Sequence, residues 1–335
     1  MAAPRTEVTE IVTGLAMFGA EGPREGLSCR PDGLHNVDQE RWDRLGELHR
    51  SGELRQEFAA AWANGRAFLD ADDGLRGRPP LLVEWKGTHR DPGDQVVPAD
   101  LRVDHVYLIS CKYLSRILIN ASPAHLFERG LAGGQGVPGG DWYQQVAPAE
   151  YQSLYDAVHR QVGHLDGLPP FVTDLTGEHR SALRERLRGR WVGEAGEAYR
   201  RLAAEVGRRS AERWREALTG KQARRSALWR LLRMGSAPYF VLGAASGRTL
   251  RLRVATPWDW REQFDLRGFD VWGDDAGQPT VRWKATVRDR RSGEDRPVEG
   301  HVEVRWSHGR FAGPPEAKVY LDTPHHRVPG YFPLR

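Results

Sequence analysis

The apolar residues of this chain change their spacing twice, and the changes divide it. From about Asp38 to Phe68, Trp42, Leu45, Leu48, Leu54, Phe58 and Trp62 recur at helical spacing, with Ser51-Gly52 as a break. Pro79-Pro80 then introduces a strand over 81–86, Gly87 to Pro98 is turn-rich, and the run from Val103 to Tyr113 predicts one continuous strand. The first forty residues are weakly patterned, 115–127 reads as a short helix or loop, and Gly130 to Gly140 is a Gly-rich connection. From Ala147 to Leu232 the period is helical, over 150–162, 179–191, 194–218 and 222–232. After Gly235 the pattern turns to short strands, at 239–242, 250–255, 269–272, 281–287, 298–306 and 318–321.

These changes predict an α+β chain in three parts. A mixed α/β domain spans 1–145, a basic helical domain spans 146–235, and a β-rich domain spans 236–335. No apolar run approaches the roughly 18 residues of a membrane span, and the amino-terminal stretch does not read as a signal peptide. Cys29 and Cys111 cannot make a disulfide framework, so a cytoplasmic location is expected.

Charge sharpens the picture. The formal net charge is +4, but the stretch from Gly177 to Gly235 holds sixteen Arg or Lys against seven Glu or Asp. A concentrated positive patch on an otherwise acidic chain points to a polyanionic partner, most simply nucleic acid. Arg184, Arg188, Arg208 and Arg225 are the candidates to grip a phosphate backbone. A second cluster, Arg305, His308 and Lys318, lies in a predicted hairpin that also holds Trp306 and Glu316. Trp258, Trp260, Trp272 and Trp283 are candidates for base stacking.

Only five of the 49 basic residues are Lys: Lys86, Lys112, Lys221, Lys284 and Lys318. Where Arg serves as the general cation, a surviving Lys marks a place that wants a compact ammonium whose pKa can move. Glu84-Trp85-Lys86 puts an acid and a lysine on one strand face, and Ser110-Cys111-Lys112 repeats the spacing with Ser for the acid. Acids flank both: Asp70, Asp72 and Asp73 before, Asp100 and Asp104 after. Two carboxylates beside a lysine are the parts of a Mg²⁺-dependent phosphodiesterase.

In these residues the chain resembles the PD-(D/E)xK nuclease superfamily, over about 50–127. Asn120-Ala121-Ser122-Pro123 resembles the stretch that follows the lysine strand in some type II restriction enzymes, and Pro98-Ala99-Asp100 is the nearest match to the family's Pro-Asp. The resemblance implies an endonuclease of restriction or anti-phage defence type, with Mg²⁺ as cofactor. Its catalytic residues would be Glu84, Lys86, Asp104 and Lys112, with Glu84, Asp104 and Asp70 on the metal and Glu57 as a possible third acid. In one extended strand Asp104 and Lys112 stand about 26 Å apart. Antiparallel pairing of the two strands, which the connection favours, brings Asp104 to Glu84 and Lys86; a parallel pairing would bring Lys112 near Lys86, and a partner strand over 68–70 would make Asp70 the second acid. The alternatives are a non-catalytic nucleic-acid-binding subunit of a defence complex and an RNase toxin. Arg44 and His49 also have the spacing of a HEPN-type ribonuclease motif. Candidate partners are DNA (or RNA), defence-complex subunits and a second copy of the chain.

Overall fold

A computed structural model describes residues 4–87, 99–113, 117–130, 140–162, 167–245, 248–274 and 277–335. The chain begins with helices α1 (Pro4–Leu15) and α2 (Pro23–Cys29), strand β1 (Leu34–His35), and helices α3 (Gln39–Ser51) and α4 (Arg55–Asp70). Strands β2 (Val83–Trp85), β3 (Leu101–Val103), β4 (Tyr107–Tyr113) and β5 (Ile117–Ala121) follow. Helices α5 (Trp142–Val146), α6 (Pro148–Gln161), α7 (Gly177–Arg186), α8 (Gly193–Ala217) and α9 (Gly220–Leu231) fill the middle. Then come β6 (Tyr239–Ala245), β7 (Arg248–Val254), helix α10 (Pro257–Gln263), and strands β8 (Phe264–Asp274), β9 (Thr280–Asp289), β10 (Asp295–Arg305), β11 (Glu316–Leu321) and β12 (Tyr331–Pro333). The class is α+β. Among the described residues no helix is long and apolar enough to cross a membrane.

The compact units differ from the three consecutive segments that the pattern changes suggest. One unit takes residues 1–116, 233–264 and 324–335, and the other takes 117–232 and 265–323. The reason is strand pairing. β6 pairs parallel with β4 and antiparallel with β7, and β12 pairs with β7, so three carboxy-terminal strands complete the sheet begun near the amino terminus. That first sheet runs β1-β2-β3-β4-β6-β7-β12. Conversely β5 pairs with β11, and the second sheet runs β5-β11-β10-β9-β8.

The first unit packs α1 and α4 on one sheet face. Val8, Ile11, Val12 and Leu15 recur at i, i+3, i+4 and i+7 on α1 and are all buried. They meet Val83, Trp85, Leu101, Val103 and Ile109 in one core with Phe58 and Phe68 of α4. The helical stretch 38–68 does break where its sequence suggests. The Asp38 carboxylate accepts from Arg41 N to cap α3, which ends at Gly52 with φ 78°. In the second unit, the inward residues of β9, β10 and β11, such as Val281, Trp283, Val302 and Val319, are buried, and α8 packs against β9.

The run 103–113 is not one strand. Asp104 and His105 take φ of 48° and 59°, two successive left-handed residues as in a type I′ turn, so the chain reverses into the β3–β4 hairpin. The β2–β3 pairing is antiparallel as expected, but its register sets Glu84 opposite Arg102. Asp104 has a structural post: one carboxylate oxygen accepts from the backbone N–H groups of Leu81 and Leu82, each at 2.9 Å. Asp104→Ala therefore removes a charged acceptor from two donors and lowers the free energy of urea unfolding by about 1–3 kcal/mol. An unchanged unfolding midpoint would contradict this role.

Candidate active site

The hairpin reversal brings Asp100 to Lys112. Asp100 stands just before β3, and its backbone N–H donates to Ile109 O at 2.8 Å while its carbonyl accepts from Lys86 N at 2.9 Å. Its carboxylate Oδ2 accepts from Cys111 N at 2.6 Å and from Ser110 Oγ at 3.2 Å. The carboxylate is thus clamped beside the strand that carries Lys112, two residues beyond Ser110 on the same face. Behind Lys112, β6 supplies Gly243 as the pairing residue. A Cβ there would sit 1.8 Å from Lys112 O, so only glycine permits this approach.

A second acid comes from α1. Trp85 Nε1 donates to Glu10 Oε2 at 2.6 Å. The Glu10 carboxyl is pushed up to about 8, first by burial and next by the Asp100 charge, while the Trp85 hydrogen bond and the Lys112 charge pull it down. Burial holds the Lys112 ammonium below its ordinary value, Asp100 and Glu10 oppose that, and Arg233 adds to it. The same burial and the same two acids raise the Cys111 thiol, which leaves it a poor nucleophile at neutral pH. Two carboxyl groups and an ammonium thus act on one another in the first unit, with Glu10 and Lys112 both desolvated. Burial first and the Asp100 charge second keep the Glu10 proton, and a cation between the two carboxyl groups would offset the second of these.

Other predicted site residues are placed elsewhere. Glu84 is bound by Arg102, with Nη2 to Oε1 at 2.7 Å, and this hydrogen bond holds its carboxyl low. His105 Nδ1 stands 3.4 Å from the same carboxylate. Lys86 is buried, and its charge also reaches Glu84. Asp104 caps the backbone at Leu81, and Asp70 is exposed at the end of α4, 3.8 Å from Arg66. Glu57 is buried with Arg5 at 3.0 Å. Arg44 pairs with Glu7 at 2.8 Å, and His49 lies edge-on to Phe58, so both are engaged in packing. Asn120 is on β5 in the second unit, opposite Lys318. Pro98 and most of the Gly130–Gly140 connection lie outside the described residues. No group of three or more His, Cys, Asp or Glu that could hold a metal exists among the described residues.

Glu10 is the residue that the pattern reading missed. Its signal was present: the four apolar positions of α1 define a helix, and Glu10 adjoins that stripe. Asp100 was visible as an acid but not as the partner, because its proximity to Ser110 exists only once the chain turns at Asp104-His105.

The second unit gathers a basic groove. Arg190, Arg200, Arg305, Arg310 and Lys318 line one cavity of about 910 Å³, and no described carboxylate lines it. An adjoining cavity of about 710 Å³ is lined by Arg184 and Arg188 and shares Gly189, Gly309 and Arg310 with the first. Gly309, at φ 109°, lets this loop close on Arg184, whose Cγ would lie 2.7 Å from an added Cβ. His308 is exposed, 3.4 Å from Glu316. Arg208 and Arg225 do not line these cavities. Arg208 is tied to Glu205 and Glu212, each at 2.6 Å, and Arg225 lies over the Trp229 ring. Trp260 and Trp283 are fully buried, which removes them as stacking surfaces, whereas Trp258 and Trp272 are exposed.

Comparison with known family models, with curated proteins and with solved structures finds no match to any.

The protonated Glu10 has a pH signature. The folded chain keeps this proton to higher pH than the unfolded chain, so the stability it confers is complete below the ordinary 4.5 and is lost as pH rises towards about 8. Glu10→Gln keeps an acceptor for Trp85 without the charge. Urea unfolding without divalent cation should give a stability that falls across this window in the wild type and falls less in the variant. Parallel curves would contradict the shift.

Proposed function

We propose that the chain is a Mg²⁺-dependent phosphodiesterase that cuts DNA, a cytoplasmic endonuclease of restriction or anti-phage type, similar in its parts to the PD-(D/E)xK nucleases. The observation that carries the reading is the convergence of Glu10, Asp100 and Lys112, three groups from α1, the start of the β3–β4 hairpin and its end. Asp100 and Glu10 would hold the cation. Mg²⁺ would supply positive charge to the phosphate oxygens and acidify water.

The chain's own residues do the rest. Ser110 and the Cys111 N–H fix Asp100 by its Oδ2. Trp85 fixes Glu10. Lys112, desolvated and under the charges of both acids, is the compact cation that steadies the attacking water or the negative charge gathering on phosphorus. The arginines of the groove in the second unit would neutralise backbone phosphates.

One observation favours a second reading. Ser110 stands where the family carries an acid, and no three-acid group is found among the described residues. A non-catalytic nucleic-acid-binding subunit of a defence complex would tolerate that loss.

Incubation with plasmid DNA and Mg²⁺ separates the readings. Cleavage should fall by about 10²–10⁴-fold in Lys112→Ala and in Asp100→Asn. Cleavage equal to wild type in both would remove them from the mechanism. A mobility shift without cleavage would favour the binding subunit, and cutting of tRNA but not plasmid would favour an RNase toxin. Binding in either case should weaken steeply with added salt.

A further inference from the structure

We infer that the larger cavity of the second unit is a nucleotide pocket, which takes one phosphate on its cations and the attached base against the guanidinium plane of Arg310. Backbone gripping by surface arginines needs neither a cavity nor a fixed plane. This cavity has both. Arg310 Cζ lies over the Trp191 ring, 3.6 Å from its centroid, and Nη2 donates to Gly189 O, so the guanidinium is tied in place against the indole. Tyr199 stacks on Trp191 at 5.2 Å between centroids, which stiffens the platform. One face of the guanidinium is covered by Trp191, and Arg310 lines both this cavity and the adjoining one. Arginine planes and aromatic rings are the surfaces on which unpaired bases stack.

The phosphate position follows from strand register. Arg305 ends β10, and Lys318 of β11 pairs with Glu303 of β10, so the two cations are diagonal neighbours on one sheet face. Glu303 lies 3.3 Å from Arg305 and Glu316 lies 4.0 Å from Lys318, loose contacts that leave room for a phosphate to compete. Arg200, on α8, lines the same cavity. Cations beside a stacking plane match a phosphorylated base better than an acidic peptide, which has no flat ring to place, or a bare phosphate, which would leave the plane unused. The ligand is either a free mononucleotide or one nucleotide of a single strand. The proposal stands on the second unit alone and does not need the acids of the first.

The test is calorimetric titration of the full chain with adenosine 5′-monophosphate, adenosine, inorganic phosphate and a short single-stranded oligodeoxynucleotide. The nucleotide or the oligonucleotide should bind about tenfold or more tightly than phosphate or adenosine. Arg310→Lys keeps the charge and loses the plane, so it should weaken that binding by about tenfold and leave phosphate binding nearly unchanged. Arg305→Ala should weaken every phosphate-bearing probe. Binding by the mononucleotide identifies a free nucleotide as sufficient, and binding by the oligonucleotide alone identifies a strand as the source. Phosphate binding as tight as either, or an Arg310→Lys variant indistinguishable from wild type in a chain of unchanged melting temperature, would overturn the proposal. Lys112→Ala should bind the nucleotide as wild type does, and a wild-type chain that binds the nucleotide but never cleaves would fail the hydrolytic reading and leave this one standing.

Discussion

A single carboxylate oxygen ties the first unit's chemistry to its fold. Asp100 Oδ2 accepts the Cys111 N–H at 2.6 Å, and that bond exists because the chain turns back at Asp104-His105 and lays β3 along β4. A charge-assisted bond to a backbone donor is short, directional and stronger than a neutral one. It holds Asp100 where its charge reaches both Glu10 and Lys112. Burial and the neighbouring negative charge then keep Glu10 protonated near neutral pH, while the same two acids favour the ammonium of Lys112 against its desolvation. Backbone geometry, packing and protonation state are thus linked through one contact.

The scarcity of lysine drew the sequence reading to two strands, and the structure sets their lysines in different company. Lys112 does meet acids, but Lys86 shares its face with Glu84, whose carboxylate is engaged by Arg102. Parity along a strand can show that Glu84 and Lys86 point the same way; it cannot show what the next strand brings opposite. The helices of 38–68 were legible because the apolar residues repeat over several turns and Gly52 ends the first helix. The β3–β4 turn was not, since Asp-His lacks the Asn-Gly or Asp-Gly signature and is flanked by Val103 and Val106, which favour strand. Helix α1 is short and set among Gly and Pro residues, so its acid went unnoticed.

Strand pairing cuts across the three segments for a related reason. Composition changes where helices give way to strands, but sheet membership is decided by pairing between segments far apart in sequence. β6 and β7 read like the strands around them, yet with β12 they complete the amino-terminal sheet. Charge followed the same rule. The arginines of α7 and the cluster near Arg305 look separate along the chain, and the 309 loop, closing on Arg184, joins them in adjoining cavities. Arg208 and Arg225, chosen on the same density argument, are engaged on their own helices by Glu205, Glu212 and Trp229.

The central claim is that Glu10 and Asp100 form a site which exchanges a proton for a divalent cation. Calorimetric titration with Mn²⁺ or Mg²⁺ near neutral pH, repeated in buffers of different ionisation enthalpy, reads both events at once. One cation should bind per chain with release of close to one proton, and Glu10→Gln should abolish the proton release while Asp100→Asn abolishes binding. Absence of saturable binding, or binding that releases no proton and is indifferent to both substitutions, would contradict it.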